Sequence, residues 1–160
     1  MADAPPLIDD RMVEFLRGPV ALMLGTTDVT GVADAVRASA VVVIDGRRLR
    51  VLIPAWARTA LANATVGARA AMLASDITDY RSLQWKGRVV AVGEERTPGD
   101  LAVVHRQVDL LCEIAPSIGI PRELARRLFA LDVLPVVIEV DAVFDQTPGK
   151  GAGRCIGGEP

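Results

Sequence analysis

A chain of 160 residues with a formal net charge of −2 is the length of one domain. Half of it is apolar (51%), enough for a sizeable core, and this excludes disorder over most of its length. With a pI near 5.4 it is a poor candidate for nonspecific nucleic-acid binding or for a polybasic membrane contact.

Residues 1–6 read as a loose tail. Ile8, Met12 and Phe15 share one face of a first short helix, stopped by Gly18-Pro19. Residues 20–26 read as a strand, 28–31 as a turn and 33–44 as a long strand, apolar and β-branched in its second half. Asp45-Gly46 between two apolar runs is a strong hairpin signal, and residues 49–53 return from it as far as Pro54. A helix over 58–66 would end at Gly67, a natural left-handed cap. Residues 68–75 form the next strand, and 82–94 another, with a bulge expected at Gly87.

Thr97 is placed as an N-cap with Pro98 at the first helical position. Leu101, Val104, Val108, Leu111 and Ala115 follow at helical spacing, ended by Pro116. Pro121 opens a short helix through Phe129, and Pro135 leads into a last strand over 136–143. The rest, residues 147–160, is glycine-rich and reads as a flexible tail, too costly in entropy to order as a permanent lid. The expected division is therefore a helix and tail over 1–17, a barrel domain over 18–146 and the tail. Six strands joined by hairpins and short helices favour a mainly β chain with flanking helices: an α+β, six-stranded antiparallel split barrel.

Side-chain chemistry is sparse. One histidine and two distant cysteines, Cys112 and Cys155, make neither a tetrahedral metal set nor a disulfide framework. His105 lies beside the apolar stripe with no partner at a defined spacing, and nothing brings Ser39, Ser75 or Ser82 to it. Gly149-Lys150-Gly151-Ala152-Gly153 follows a strand, but Arg154 stands where a dinucleotide loop needs its third glycine, and no Ser or Thr follows the lysine as a P-loop requires. Trp56 and Trp85 are read as core or interface aromatics, or as stacking partners for a planar ligand. The start lacks a basic segment followed by an apolar core, and no apolar run approaches the ~20 residues of a membrane span. A reducing cytoplasm is the expected location.

What remains is a strand-to-helix turn bearing Arg58-Thr59, whose basic and hydroxyl groups suit a phosphate. The order of features is strand, Arg37, strand, Asp45-Gly46, strand, Pro54, Arg58-Thr59, helix, strand, then Gln84-Trp85-Lys86-Gly87. That order, over about residues 18–150, resembles the pyridoxamine 5′-phosphate oxidase-like flavin-binding split barrels. The ending Val143-Phe144-Asp145-Gln146-Thr147-Pro148-Gly149 resembles a subgroup of mostly unassigned activity. The resemblance implies a homodimer with FMN in a groove between subunits. It places Arg37 and Ser39, Ile53 and Pro54, Arg58 and Thr59, and Gln84 and Lys86 as cofactor contacts. Arg58-Thr59 would hold the phosphate, Arg37 the phosphate and ribityl chain, and Gln84 or Lys86 the ring.

There are two departures. The turn reads Ala57-Arg58-Thr59 where the family often has Ser-Arg-Lys, one positive charge fewer. The ending lacks the arginine- and tryptophan-containing segment that binds vitamin B6 substrates. The resemblance thus implies an FMN-dependent oxidoreductase for an unknown small molecule, other than a B6 oxidase. The alternatives are a non-catalytic flavin or haem carrier, a deazaflavin-dependent reductase, or a dimeric scaffold without a cofactor.

Overall fold

The computed structural model describes residues 6–93 and 95–159. Most of the expected N-terminal tail, and the end of the strand expected over 82–94, lie outside the described residues. Helix α1 spans Asp10–Arg17, and the carboxylate of Asp9 caps it by accepting from the Met12 N–H at 2.8 Å. Phe15 and Leu16 anchor its apolar side, and the chain leaves the helix at Gly18.

Eight antiparallel strands are present among the described residues. They are β1 (Val20–Thr27), β2 (Ala33–Ala38), β3 (Ala40–Val43), β4 (Arg48–Pro54), β5 (Arg69–Asp76), β6 (Ser82–Val92), β7 (Val133–Asp145) and β8 (Arg154–Gly158). The main path runs β2-β1-β5-β6-β7-β4-β3, with β8 added on β7. The single strand expected over 33–44 is interrupted at Ser39. Its first half pairs with β1 and its second half with β4, so one continuous stretch brings the two ends of the sheet together. At Ser39 the facing switches: Val36 and Ala38 point into the barrel before it, Val41 and Val43 after it. The hydroxyl of Ser39 donates to the Ala130 carbonyl at 2.7 Å, and its N–H to Leu52 O at 2.8 Å. The mainly β, antiparallel class is as expected, but the strand count exceeds the expected six among the described residues: the strand expected over 33–44 is divided into β2 and β3, and β8 is additional.

The barrel is split along β7. Val133 to Glu139 pair with β4, while Ala142 to Asp145 pair with β8. The expectation of a flexible tail is corrected here. Gly149 and Gly153 adopt positive φ and turn the chain back, the Gly153 N–H donates to Asp145 O at 2.7 Å, and β8 fills the edge that β4 leaves free. Ladder hydrogen bonds along an otherwise open edge offset the entropy of ordering those residues.

Helix α2 spans only Arg58–Asn63, shorter than the expected 58–66. Gly67 does not cap it; its N–H donates to Val89 O at 2.8 Å, leading the chain into β5. Helix α3 (Pro98–Ile114) carries a full capping box between Thr97 and Asp100 and ends in a short 3₁₀ turn, Ala115–Ile118. Helix α4 is a single turn, Arg122–Arg126, shorter than the segment expected through Phe129.

Two apolar cores form among the described residues. One fills the barrel with residues such as Leu22, Leu24, Val51, Met72, Trp85 and Ile138. The other lies outside it, where α3 lays Val104, Val108 and Cys112 over Ala40, Leu52 and Val133. The expected helical stripe is the buried one, though Leu101 is only half-buried. Between the layers Arg50 of β4 meets Asp100 of α3 in a two-pronged contact, Nε to Oδ1 at 2.8 Å and Nη2 to Oδ2 at 2.6 Å.

Candidate functional site

Alternation fixes which side chains the barrel turns outward. Leu22, Leu24, Met72 and Trp85 fill the interior, so their neighbours Met23, Gly25, Ala71, Gln84 and Lys86 face out. Pairing then aligns them in two rows. In the first, Arg37 is opposite Met23, Met23 opposite Leu73, Leu73 opposite Gln84, and Gln84 opposite Phe144. In the second, Ala35 is opposite Gly25, Gly25 opposite Ala71, Ala71 opposite Lys86, and Lys86 opposite Ala142. Ala35 and Lys86 are exposed, and Met23, Gly25, Ala71 and Leu73 half-buried. At strand spacing, the Cα atoms of Arg37 and Gln84 stand about 14 Å apart, with two strands between them.

This face has a floor of small and apolar residues and polar groups at its borders. A hollow of about 430 Å³ lies over it, lined by Gly25, Ala35, Ala71, Lys86 and Gly87 among others. The Lys86 ammonium lies 4.3 Å from the centre of the Phe144 ring, and the Arg37 guanidinium 5.7 Å from that of Phe129. Gln84 Oε1 accepts from Gln146 Nε2 at 3.0 Å. Beside them, hydrogen bonds from the backbone N–H and the hydroxyl of Thr147 hold the Asp145 carboxyl below its ordinary range. Lys86 faces out by alternation with Trp85, and a register shift between Lys86 and Gly87, the position of the expected bulge, brings Phe144 beneath it. The extra residue is Asp141 on β7. It reverses the facing of β7, so that Val140 and Val143 both point inward and Phe144 points out.

The eight residues expected to contact a cofactor fall into three groups. Arg37, Gln84 and Lys86 share the open face. Arg58 and Thr59 are exposed at the start of α2, which packs on β1 and β2, and the Arg58 side chain has no hydrogen bond or ion pair among the described residues. Ser39, Ile53 and Pro54 are buried. The Ser39 hydroxyl donates to the Ala130 carbonyl, and Ile53 is part of the barrel core, so neither side chain lies on the open face. Pro54 still shapes the turn, where the Ala57 N–H donates to its carbonyl at 2.9 Å.

The two tryptophans separate. Trp85 is fully buried in the barrel, away from any interface or stacking role, and its indole N–H is the one buried side-chain polar atom without a partner among the described residues. Trp56 is 71% exposed on the turn before Arg58. His105 is exposed on α3; Ser75 and Ser82 bond each other at 2.8 Å, and no serine reaches the histidine. Among the described residues no three His, Cys, Asp or Glu side chains group as metal ligands. None of the described helices is long and apolar enough to cross a membrane. Phe144 and Gln146 are the site residues that sequence reading missed. The signal for them was their two-residue spacing, hidden by the reversal at Asp141.

No family model matches the chain, and no curated protein matches it. Solved structures do. HupZ of Group A Streptococcus superposes with a TM-score of 0.54 at 14% identity, covering 91% of this chain and 99% of that one. A candidate pyridoxamine 5′-phosphate oxidase from Lactobacillus delbrueckii gives 0.53 at 15% identity, covering 89% and 97%. An F420 reductase gives 0.53 at 18% identity, covering 81% and 93%. The fold is the pyridoxamine 5′-phosphate oxidase-like split barrel.

Proposed function

We propose that this chain binds FMN on the open face and acts as an FMN-dependent oxidoreductase on a small molecule. The observation that carries the reading is the placement of Arg37, Gln84 and Lys86 on one uncovered side of the barrel, around a floor of Met23 and Leu73 in one row and Gly25, Ala35 and Ala71 in the next. Small side chains let a planar ring lie close to the strands and keep water from that side. Bound FMN supplies a ring that takes up and releases electrons. Arg58 and Thr59 hold the phosphate, and Arg37 supports it from β2. Gln84 and Lys86 set a hydrogen-bond donor and a positive charge where negative charge gathers on reduction.

Arg58→Ala tests the phosphate contact. FMN binding weakens by about 1.5–3 kcal/mol, the range for a charge-assisted hydrogen bond, while riboflavin, which has no phosphate, is barely affected. Equal losses for both ligands would mean that Arg58 acts through structure. Purified protein that neither carries nor takes up FMN would end the reading. The F420 reductase neighbour favours a deazaflavin as the second reading, and the same titration with F420 decides between them.

The open face also supports a homodimer, in which the second subunit covers the apolar floor beside the ligand. Such a dimer would bury more than roughly 2,000 Å² in total. Sedimentation at micromolar concentration is expected to give twice the chain mass, and a stable monomer would count decisively against a shared groove.

A further inference from the structure

Gln84 is held by Gln146, the residue just after β7. The base of Gln146 is tied to the start of β6: its N–H donates to Ser82 O at 2.9 Å, and the Ser82 N–H donates to Thr147 Oγ1 at 3.1 Å. The neighbouring Thr147 N–H donates to Asp145 Oδ1 at 2.9 Å, which stiffens the same turn. From this base the Gln146 carboxamide reaches Gln84 Oε1 at 3.0 Å. The acceptor end of Gln84 is thereby engaged. Its Nε2 has no partner among the described residues, and Gln84 is half-buried beside Leu73 and Phe144.

We propose that Gln146 is a positioning residue: it fixes the Gln84 carboxamide so that the NH2 group, rather than the oxygen, is presented to the open face. A fixed donor there selects a ligand with a carbonyl or anionic edge, and favours it more as negative charge accumulates on that edge. This inference rests on the FMN reading above and adds to it the residue that sets the polarity of the contact.

The test is a double-mutant cycle on FMN affinity and on the reduction potential of the bound flavin, using Gln146→Met, Gln84→Met and the double variant. Each single variant is expected to bind reduced flavin about three- to tenfold more weakly, the worth of one hydrogen bond, and to shift the potential to more negative values. The double variant is expected to match Gln84→Met, because Gln146 acts only through Gln84. Losses that add fully in the double variant overturn the proposal. So does a Gln146→Met protein with unchanged potential, including one that loses affinity for oxidised and reduced flavin equally. Wild-type protein that binds no FMN overturns the FMN reading and this inference together. Normal FMN binding with an indifferent Gln146→Met overturns this inference alone.

Discussion

Asp100→Ala is expected to lower the stability of the fold by about 3–5 kcal/mol, because it leaves the guanidinium of Arg50 without its buried partner. Asp100 is only 4% exposed, and its carboxylate accepts both prongs of Arg50 and the Thr97 N–H at 2.7 Å. The substitution therefore removes the clamp between β4 and α3 and half of the capping box at once. Urea unfolding at neutral pH checks it. A loss under 1 kcal/mol would put the pair among exposed ones such as Arg126–Asp109, about half exposed on both sides.

The same pair makes stability depend on pH. The side-chain hydrogen bonds from Arg50, aided by the Thr97 N–H and against the effect of burial, lower the Asp100 pKa from its ordinary 3.8 to about 2. The unfolded chain thus takes the proton more readily than the folded one. The contribution is fully present above about pH 4 and is lost as pH falls toward 2, a swing of about 2 kcal/mol. The gap in stability between wild type and Asp100→Ala should accordingly narrow across that window. A gap that stays constant from pH 5 to pH 2 would show that the carboxylate charge is not what Arg50 responds to.

Gly87→Ala is expected to cost about 3 kcal/mol, at the upper end for overpacking. A Cβ there would stand 1.9 Å from the Glu139 carbonyl oxygen and 3.0 Å from the Val140 Cα. Both are backbone atoms of β7, which is paired with β4 on one side and β6 on the other, so neither can retreat without breaking a ladder. The damage should extend to the open face, because the register shift beside Gly87 is what turns Phe144 outward beneath Lys86. On the proposed FMN reading, weaker FMN binding should accompany the lost stability. Gly151→Ala is the control: a Cβ there meets nothing within 4 Å, and a change within 0.5 kcal/mol is expected. A Gly87→Ala protein as stable as this control would mean that β7 can shift at Glu139.

Local signals in the sequence were enough for the class of fold. The strand runs over 20–26 and 68–75, the Asp45-Gly46 turn, and the Thr97-Pro98 helix start each act over a few residues. Each is seen in its expected place. The likeness in the order of Arg37, Pro54, Arg58 and Gln84 to Lys86 pointed to the same barrel. The sequence also determined that Gly87 would mark an irregularity, since a glycine inside a strand usually marks a bulge or a close approach of backbone.

Tertiary structure decided which face each residue occupies. A strand pattern gives alternation but not its phase after an interruption, and one inserted residue reverses every side chain beyond it. The interruption at Ser39 turned Val41 and Val43 inward while Arg37 stayed outside, and Asp141 turned Phe144 outward to meet Lys86. Partners far along the chain settled the rest. The Ala130 carbonyl takes the Ser39 hydroxyl 91 residues away, and the free edge of β7 gives the glycine-rich end a strand to join. Those contacts carry no local signature, because their stabilisation exists only once both partners have been brought together.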